Sequence, residues 1–381
     1  MASIIVLGAG MVGSVIATDL SDDAQLEVAV VDANEANLQS ARDRSSGRVK
    51  TFQADLSDAS AVARSVEPFD LVCIAVPGRM GFDTLRAAID AGRNCCDISF
   101  FPEDARQLDA LAKLRGVTAV VDCGVAPGMS HILAAHSAAQ LDQCTSIEIL
   151  VGGLPRCPQW PFNYKAAFSP ADVIEEYVRP AWQKRGGCII ERPALSDVRS
   201  IEFANVGVLE AFYTDGLRSL LHTLDVPEMS EQTLRYPGHA ELMRIFRETG
   251  LFNQEPIQVG STTVQPRDVT AALLFPQWKY APGEADLTVM RVVAQGKRRG
   301  RHAQIVWDLL DGYDPASDMS SMSRTTAFPC CIVARMILGG AIHQPGIVFP
   351  ERIGQTPGVL EHLLAEHKRR GVIYRRSEPP T

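Results

Sequence analysis

Near the N-terminus, Gly8-Ala9-Gly10-Met11-Val12-Gly13 sets three glycines in a G-x-G-x-x-G spacing directly behind the apolar run 3–7. The three glycines play distinct roles. Gly8 permits a tight turn, Gly10 lets a pyrophosphate approach the backbone, and Gly13 lets a helix pack on a strand. A helix opening at this turn offers unpaired N–H groups and its positive dipole end to phosphates. Asp32 closes the next apolar run, 19 residues beyond Gly13, where a carboxylate can accept from both ribose hydroxyls. It would repel a 2′-phosphate, and Ala33-Asn34 supply no compensating arginine. NAD is therefore expected over NADP.

The remaining polar positions follow from the order of strands. Asp55, after the third apolar run, is expected either near the adenine or as a helix N-cap. Ala75-Val76-Pro77 follow the fourth run, at the edge where a nicotinamide ribose would lie, and Asp97 follows the fifth. Gly124 begins Gly124-Val125-Ala126-Pro127-Gly128, after which a helix N-terminus again offers free N–H groups. His131, one turn further, is compatible with a pocket or with the core.

The elements that must position these residues are predicted from periodicity. Short apolar runs at 3–7, 26–31, 49–53, 71–76, 94–98 and 118–121 alternate with helix-length segments, the pattern of a doubly wound parallel sheet. This places an N-terminal Rossmann domain at 1–123. Longer strands at 145–151, 257–264, 286–295 and 302–310 follow, the last two flanking the basic turn Lys297–Arg301 as a hairpin. They predict an α+β mixed-sheet domain for substrate and dimerisation at 124–322. Helices from Ser323 and over 356–369 are expected to return to the Rossmann domain, and the tail Ser377–Thr381 to be disordered.

The chain has 381 residues, net charge −8, 46% hydrophobic and 22% charged residues. That balance fits a two-domain globular enzyme and argues against a general nucleic-acid surface. No run approaches the length of a membrane span. Nine scattered cysteines without a C-x-x-C pair fit reduced thiols in the cytoplasm, Cys123 among them as a small buried hydrophobe. Neither H-E-x-x-H nor clustered His and Cys ligands occur, so no metal is expected.

Five stretches carry a resemblance: Gly124-Val125-Ala126-Pro127-Gly128-Met129, Val151-Gly152-Gly153-Leu154-Pro155, Leu209-Glu210-Ala211-Phe212, Leu234-Arg235-Tyr236-Pro237-Gly238-His239-Ala240-Glu241 and Arg324-Thr325-Thr326-Ala327. In order and spacing the chain resembles the saccharopine dehydrogenase superfamily, most closely the lysine 6-dehydrogenases. The resemblance implies a homodimer and NAD-dependent oxidation of the terminal amine carbon of lysine or an analogue, giving a semialdehyde that cyclises. It differs from glutamate-forming saccharopine enzymes at Ala126, where they carry aspartate, and at Val151, where they carry cysteine. It also lacks their arginine near Tyr213-Thr214-Asp215-Gly216, which disfavours a second substrate carboxylate. It differs from lysine 6-dehydrogenases at Tyr213–Leu217 and at His131.

Such chemistry needs a neutral amine, and a lysine side chain titrates near ~10.4, so a base must take its proton. His239 and Asp97 are the candidates, and Arg235 can hold a carboxylate in bidentate fashion. His239 and Arg235 read equally as a capping or core histidine and a structural ion pair. Tyr164 and Lys165 are expected at the pocket or as cover for the sheet. Thr214 and Asp215 can receive the substrate ammonium, and Thr325, with Thr326, sits near cofactor or substrate unless it caps its helix. Two alternatives stand beside this reading: reductive C–N formation of the saccharopine or carboxynorspermidine kind, and a non-catalytic dinucleotide sensor.

Overall fold

The computed structural model describes residues 1–379 and divides them into two compact units. The first comprises Met1–Ile132 and Ser323–Val372, the second Leu133–Met322 and the C-terminal segment from Ile373.

Six strands of the first unit are β1 (Ala2–Leu7), β2 (Leu26–Asp32), β3 (Lys50–Gln53), β4 (Leu71–Ile74), β5 (Asn94–Asp97) and β6 (Thr118–Val120). With the late strand Gly346–Val348 they make a seven-stranded parallel sheet, in which the late strand borders β6 and the order continues β5, β4, β1, β2, β3. Ile4–Leu7 and Leu71–Ile74 are fully buried, the continuous apolar signature of strands covered on both faces. Because the order reverses between β1 and β4, the loops at their carboxyl ends splay apart, which is where such sheets take ligands. Arg335 and Arg370, on the returning segment, both donate to the Asp19 carboxylate of α1 (Met11–Ser21), at 2.7 and 2.6 Å.

The second unit is built on a nine-stranded mixed sheet. Strand Gln143–Pro155 pairs parallel with Glu228–Arg235 and antiparallel with Asp286–Arg298, which continues into Arg301–Gly312 through a turn at Arg299 and Gly300, both at positive φ. That two-residue turn is the basic run predicted as a hairpin tip. Residues 257–264 are not one long strand as expected. They form a separate two-stranded hairpin, Ile257–Val259 against Thr262–Val264, with five of its six strand residues exposed. Tyr374–Ser377 is an edge strand on Arg301–Gly312, which takes in Ser377, the first residue of the tail expected to be disordered. Pro380 and Thr381 lie outside the described residues. Among the described residues no helix is long and apolar enough to cross a membrane.

Candidate functional site

In the first unit the glycine loop lies at the carboxyl end of β1. Gly8 has φ +99°, and a Cβ there would stand 2.4 Å from the Ala75 carbonyl oxygen. A Cβ on Gly13 would stand 2.0 Å from the Gly8 carbonyl oxygen. Both positions are closed to any side chain by the chain's own backbone. Gly10 is different: apart from its own chain neighbours, no atom of the described residues lies within 4 Å of where its Cβ would be. The turn therefore leaves an open cradle directly above Gly10, at the N-terminus of α1, whose first two residues are Met11 and Val12. A dinucleotide pyrophosphate fits this arrangement.

Asp32 sits beside this loop but is already engaged. One carboxylate oxygen accepts from the Ala9 backbone N–H at 2.7 Å, the other from the Asn34 backbone N–H at 2.8 Å, and the Asn37 amide reaches both at 3.3 Å. These bonds brace the loop, and beside its short backbone bond each oxygen keeps a further lone pair. Asp55 is an exposed loop residue that accepts from the Ser57 hydroxyl and N–H, which hold its pKa below the usual carboxylate range. The N-cap of the following helix is Asp58. Ala75-Val76-Pro77 follow β4, with the Ala75 carbonyl against Gly8 as described.

Asp97 ends β5 and is wholly buried. Its Oδ1 accepts from the Ser99 N–H at 2.7 Å, while Oδ2 has no partner. Burial pushes its pKa well above the ordinary range, the Ser99 N–H works against this, and the neighbouring Asp122 charge adds to it. Asp122 itself lies at φ +52°, an uncommon conformation for a residue with a side chain. Gly124 closes a tight turn onto Gly128, and a Cβ on it would stand 3.2 Å from the Thr326 methyl. His131 belongs to the core: it is buried and bonded to the Ser130 hydroxyl. Helix Ser321–Leu338 begins two residues earlier than predicted, so Thr325 and Thr326 lie inside it and cannot cap it. The Asp286 carboxylate accepts from the first two N–H groups, at 2.6 and 2.9 Å.

The second unit gathers its polar residues around strand Glu228–Arg235. Alternation places Glu231, Thr233 and Arg235 on one face, and all three are buried. Arg235 donates to Glu176 at 2.8 Å and lies over the Tyr164 ring, its guanidinium carbon 4.6 Å from the centroid. Its Nε and the Tyr280 hydroxyl are buried without partners among the described residues. Tyr164 packs edge-on against Trp278. His239 bonds the Phe162 carbonyl through Nδ1 and the Tyr177 hydroxyl through Nε2, both at 2.8 Å. A carbonyl can only accept, so Nδ1 carries the proton and Nε2 accepts from Tyr177. Burial, reinforced by the Arg235 charge, lowers the His239 pKa to about 3, so the ring is neutral with both nitrogens in use. Lys165 is likewise committed, to Glu284 at 2.5 Å.

Further along the same face, the Thr214 hydroxyl bonds Glu231 Oε2 and the Thr233 hydroxyl, each at 2.7 Å. Burial raises the Glu231 pKa to about 8; the Thr214 bond opposes this, and the Glu176 and Asp215 charges add to it. Of the residues expected in the second unit, the fold brings Tyr164, Arg235 and His239 together. Thr214 lies further along the same face with Glu231 and Thr233, while Lys165 is set aside in its own pair. Glu176, Tyr177 and Glu231 escape sequence reasoning. The one available signal is the alternation Glu231-Thr233-Arg235, obscured because the intervening residues are buried as well.

A parallel sheet with a glycine elbow and an open phosphate cradle defines a dinucleotide-binding protein of the Rossmann type. Residues 4–120 match the family model of the saccharopine dehydrogenase NADP binding domain, and residues 124–372 match that of the saccharopine dehydrogenase C-terminal domain. The chain belongs to the saccharopine dehydrogenase family. It is 20% identical to the NADP(+), L-glutamate-forming saccharopine dehydrogenase of Saccharomyces cerevisiae over 98% of both chains. It is 23% identical to the carboxynorspermidine synthase of Vibrio cholerae over 64% of this chain and 60% of that one. The mitochondrial alpha-aminoadipic semialdehyde synthase of Bos taurus matches at 22% over 80% of this chain, which spans only 40% of that protein's length. The apo structure of the L-Glu-forming saccharopine dehydrogenase from Saccharomyces cerevisiae superposes with a TM-score of 0.81 at 18% identity, covering all of both chains, and shows the same fold.

These findings overturn the expectation of NAD. The N-terminal match is to an NADP binding domain, and the yeast relatives, including that of Schizosaccharomyces pombe, are NADP(+) enzymes. The expectation rested on the charge of Asp32, and in the fold the Ala9 and Asn34 backbone N–H groups donate to that carboxylate and offset part of it.

Proposed function

We propose that the chain is an NADP-linked dehydrogenase joining a small amine to a carbonyl compound through a reduced C–N bond, a reading supported by its likeness to a carboxynorspermidine synthase and to L-glutamate-forming saccharopine dehydrogenases. Amine and aldehyde lose water to give an imine, which takes one hydride and one proton to become a secondary amine; the reverse direction oxidises it. The bound dinucleotide supplies or accepts the hydride. The observation that carries the reading is the open cradle over Gly10, within a chain whose two parts match both family domains.

Gly8, Gly10, Met11, Val12, Gly13, Asp55, Ala75, Val76, Pro77 and Gly124 are the proposed cofactor contacts, with Asp32 bracing the loop. Asp97, whose pKa burial pushes up, is the proposed proton-handling group. Arg235 and the orphaned Tyr280 hydroxyl suit a substrate carboxylate. Tyr164 and His239 keep the guanidinium in place, and Thr214, Asp215 and Thr325 remain substrate-side candidates. A homodimer working in the cytoplasm accompanies this reading on the family resemblance alone, and sedimentation of the purified chain tests the assembly.

A second reading, oxidation of the terminal amine of lysine to a semialdehyde, draws on the motif resemblance and on Thr214-Asp215 standing where a second carboxylate would need a cation. One assay separates the two. NADPH consumption that requires both an aldehyde and an amine supports the first; NADP⁺ reduction with L-lysine alone supports the second. Binding of the dinucleotide without turnover on any pair would overturn both.

A further inference from the structure

We propose that Glu231 selects the amine substrate: its carboxyl receives an ammonium group that stands away from the reacting carbon, so diamines and basic amino acids are taken in preference to dicarboxylic ones. This rests on the C–N dehydrogenase reading above and adds the class of amine to it.

Glu231 is 4% exposed, and among the described residues no lysine, arginine or histidine pairs with it. Its carboxyl accepts from neutral donors only, the Thr214 hydroxyl at Oε2 and the Gly216 backbone N–H. A buried acid without a countercharge is costly to a fold, and apolar residues would fill the same strand position more cheaply. The surroundings instead maintain it. Gly216 passes so close that a Cβ there would stand 2.4 Å from the Glu231 carboxyl carbon, so glycine at 216 makes room for the acid. Thr214 and Thr233 orient it through linked hydroxyls. The nearby Glu176 and Asp215 charges make the surroundings of Glu231 favourable for a cation.

A second feature points to a ligand on this face. Four residues along the strand, Arg235 is 2% exposed, yet its buried Nε donates to no acceptor among the described residues. The two Cα atoms are separated by roughly 13 Å at ordinary strand rise, and both side chains project from the same face. The strand thus presents an anion-seeking end and a cation-seeking end. An amine that also bears a carboxylate can address both ends at once. An ammonium supplies the countercharge that Glu231 lacks and leaves the carboxyl ionised in the complex.

The test compares L-lysine with L-2-aminohexanoate, the same chain without the terminal amine, titrated into the full-length protein with NADP⁺ by calorimetry. A charge-assisted bond predicts a preference for L-lysine of about 10- to 100-fold. Glu231→Gln keeps the acceptor for Thr214, so the fold stands; the preference should vanish while 2-aminohexanoate binding changes by less than about twofold. Glu231→Asp should restore part of it. Preference retained in Glu231→Gln overturns the inference and leaves the functional reading intact. A wild-type protein that favours L-glutamate does the same. Failure of the wild type both to bind any of these amines and to consume NADPH with an amine–aldehyde pair overturns the functional reading and the inference together.

Discussion

The glycine loop of the first unit and the polar row of the second are built on opposite principles. In the loop, backbone does the binding: Gly8 and Gly13 are closed to side chains, Gly10 is open, and the spacing of the three is dictated by one turn and one helix. In the row, side chains do the work, and residues 164, 176, 177, 214, 231, 233, 235 and 239 meet because of sheet register and helix packing. A site made of backbone tolerates little change and is written locally. A site made of side chains is retuned by single substitutions and is scattered along the chain. The family relationship extends over both, so differences in substrate are expected to reside in the row.

The largest effect that can break this contrast is in the loop. Gly13→Val should abolish NADPH binding, at least about 100-fold by nucleotide fluorescence, since its side chain meets the Gly8 carbonyl. Gly10→Ala sharpens the point: with no atom of the described residues near except its chain neighbours, thermal stability should stay put while NADPH affinity falls. Equal losses of stability and affinity there would show that the cradle is a structural turn.

Next in size is Arg235→Met, which strands Glu176 beside buried tyrosines. Removing one partner of such a pair costs on the order of 3–5 kcal/mol, readable as a lowered denaturation midpoint. A loss below about 1 kcal/mol would mean the pair behaves as a surface one.

Glu231 gives a pH signature of intermediate size. Its folded pKa of about 8 lies above the ordinary 4.5, so between these values the native state keeps a proton that the unfolded chain has released. Stability contributed by this group is therefore full below about pH 4.5 and is lost as pH rises through about 8. The loss is at most about 5 kcal/mol by linkage, less whatever relaxation relieves. Glu231→Gln should flatten that part of the profile, and an unchanged slope would show that the carboxyl is solvated in the native state.

The smallest effect is expected from Asp32→Asn. Because Asp32 braces Ala9 and Asn34, NADPH and NADH affinities should fall together, by less than about tenfold (1.4 kcal/mol). A gain for NADPH alone would return Asp32 to the role of a cofactor discriminator.

The parallel sheet and its elbow are legible in the sequence because buried parallel strands read as continuous apolar runs and because the glycine spacing has few other physical causes. What the carboxylate of Asp32 does is not legible: its spacing fits a ribose acceptor, and only coordinates reveal that two backbone N–H groups hold it. In the second unit, Arg235 and His239 stand out as polar residues in a motif, whereas Glu176 and Glu231 come from segments with no local pattern that marks them. The 257–264 segment misleads in another way. Its β-propensity is real, but Gly260, at positive φ, folds it back on itself as a short hairpin.

The most direct measurement is a pair of fluorescence titrations of the purified chain with NADPH and with NADH. Tight, saturable NADPH binding that exceeds NADH affinity, and that Gly10→Ala weakens without unfolding the protein, is the expected result. Tighter binding of NADH, or no binding of either, would refute the NADP assignment and the cradle with it.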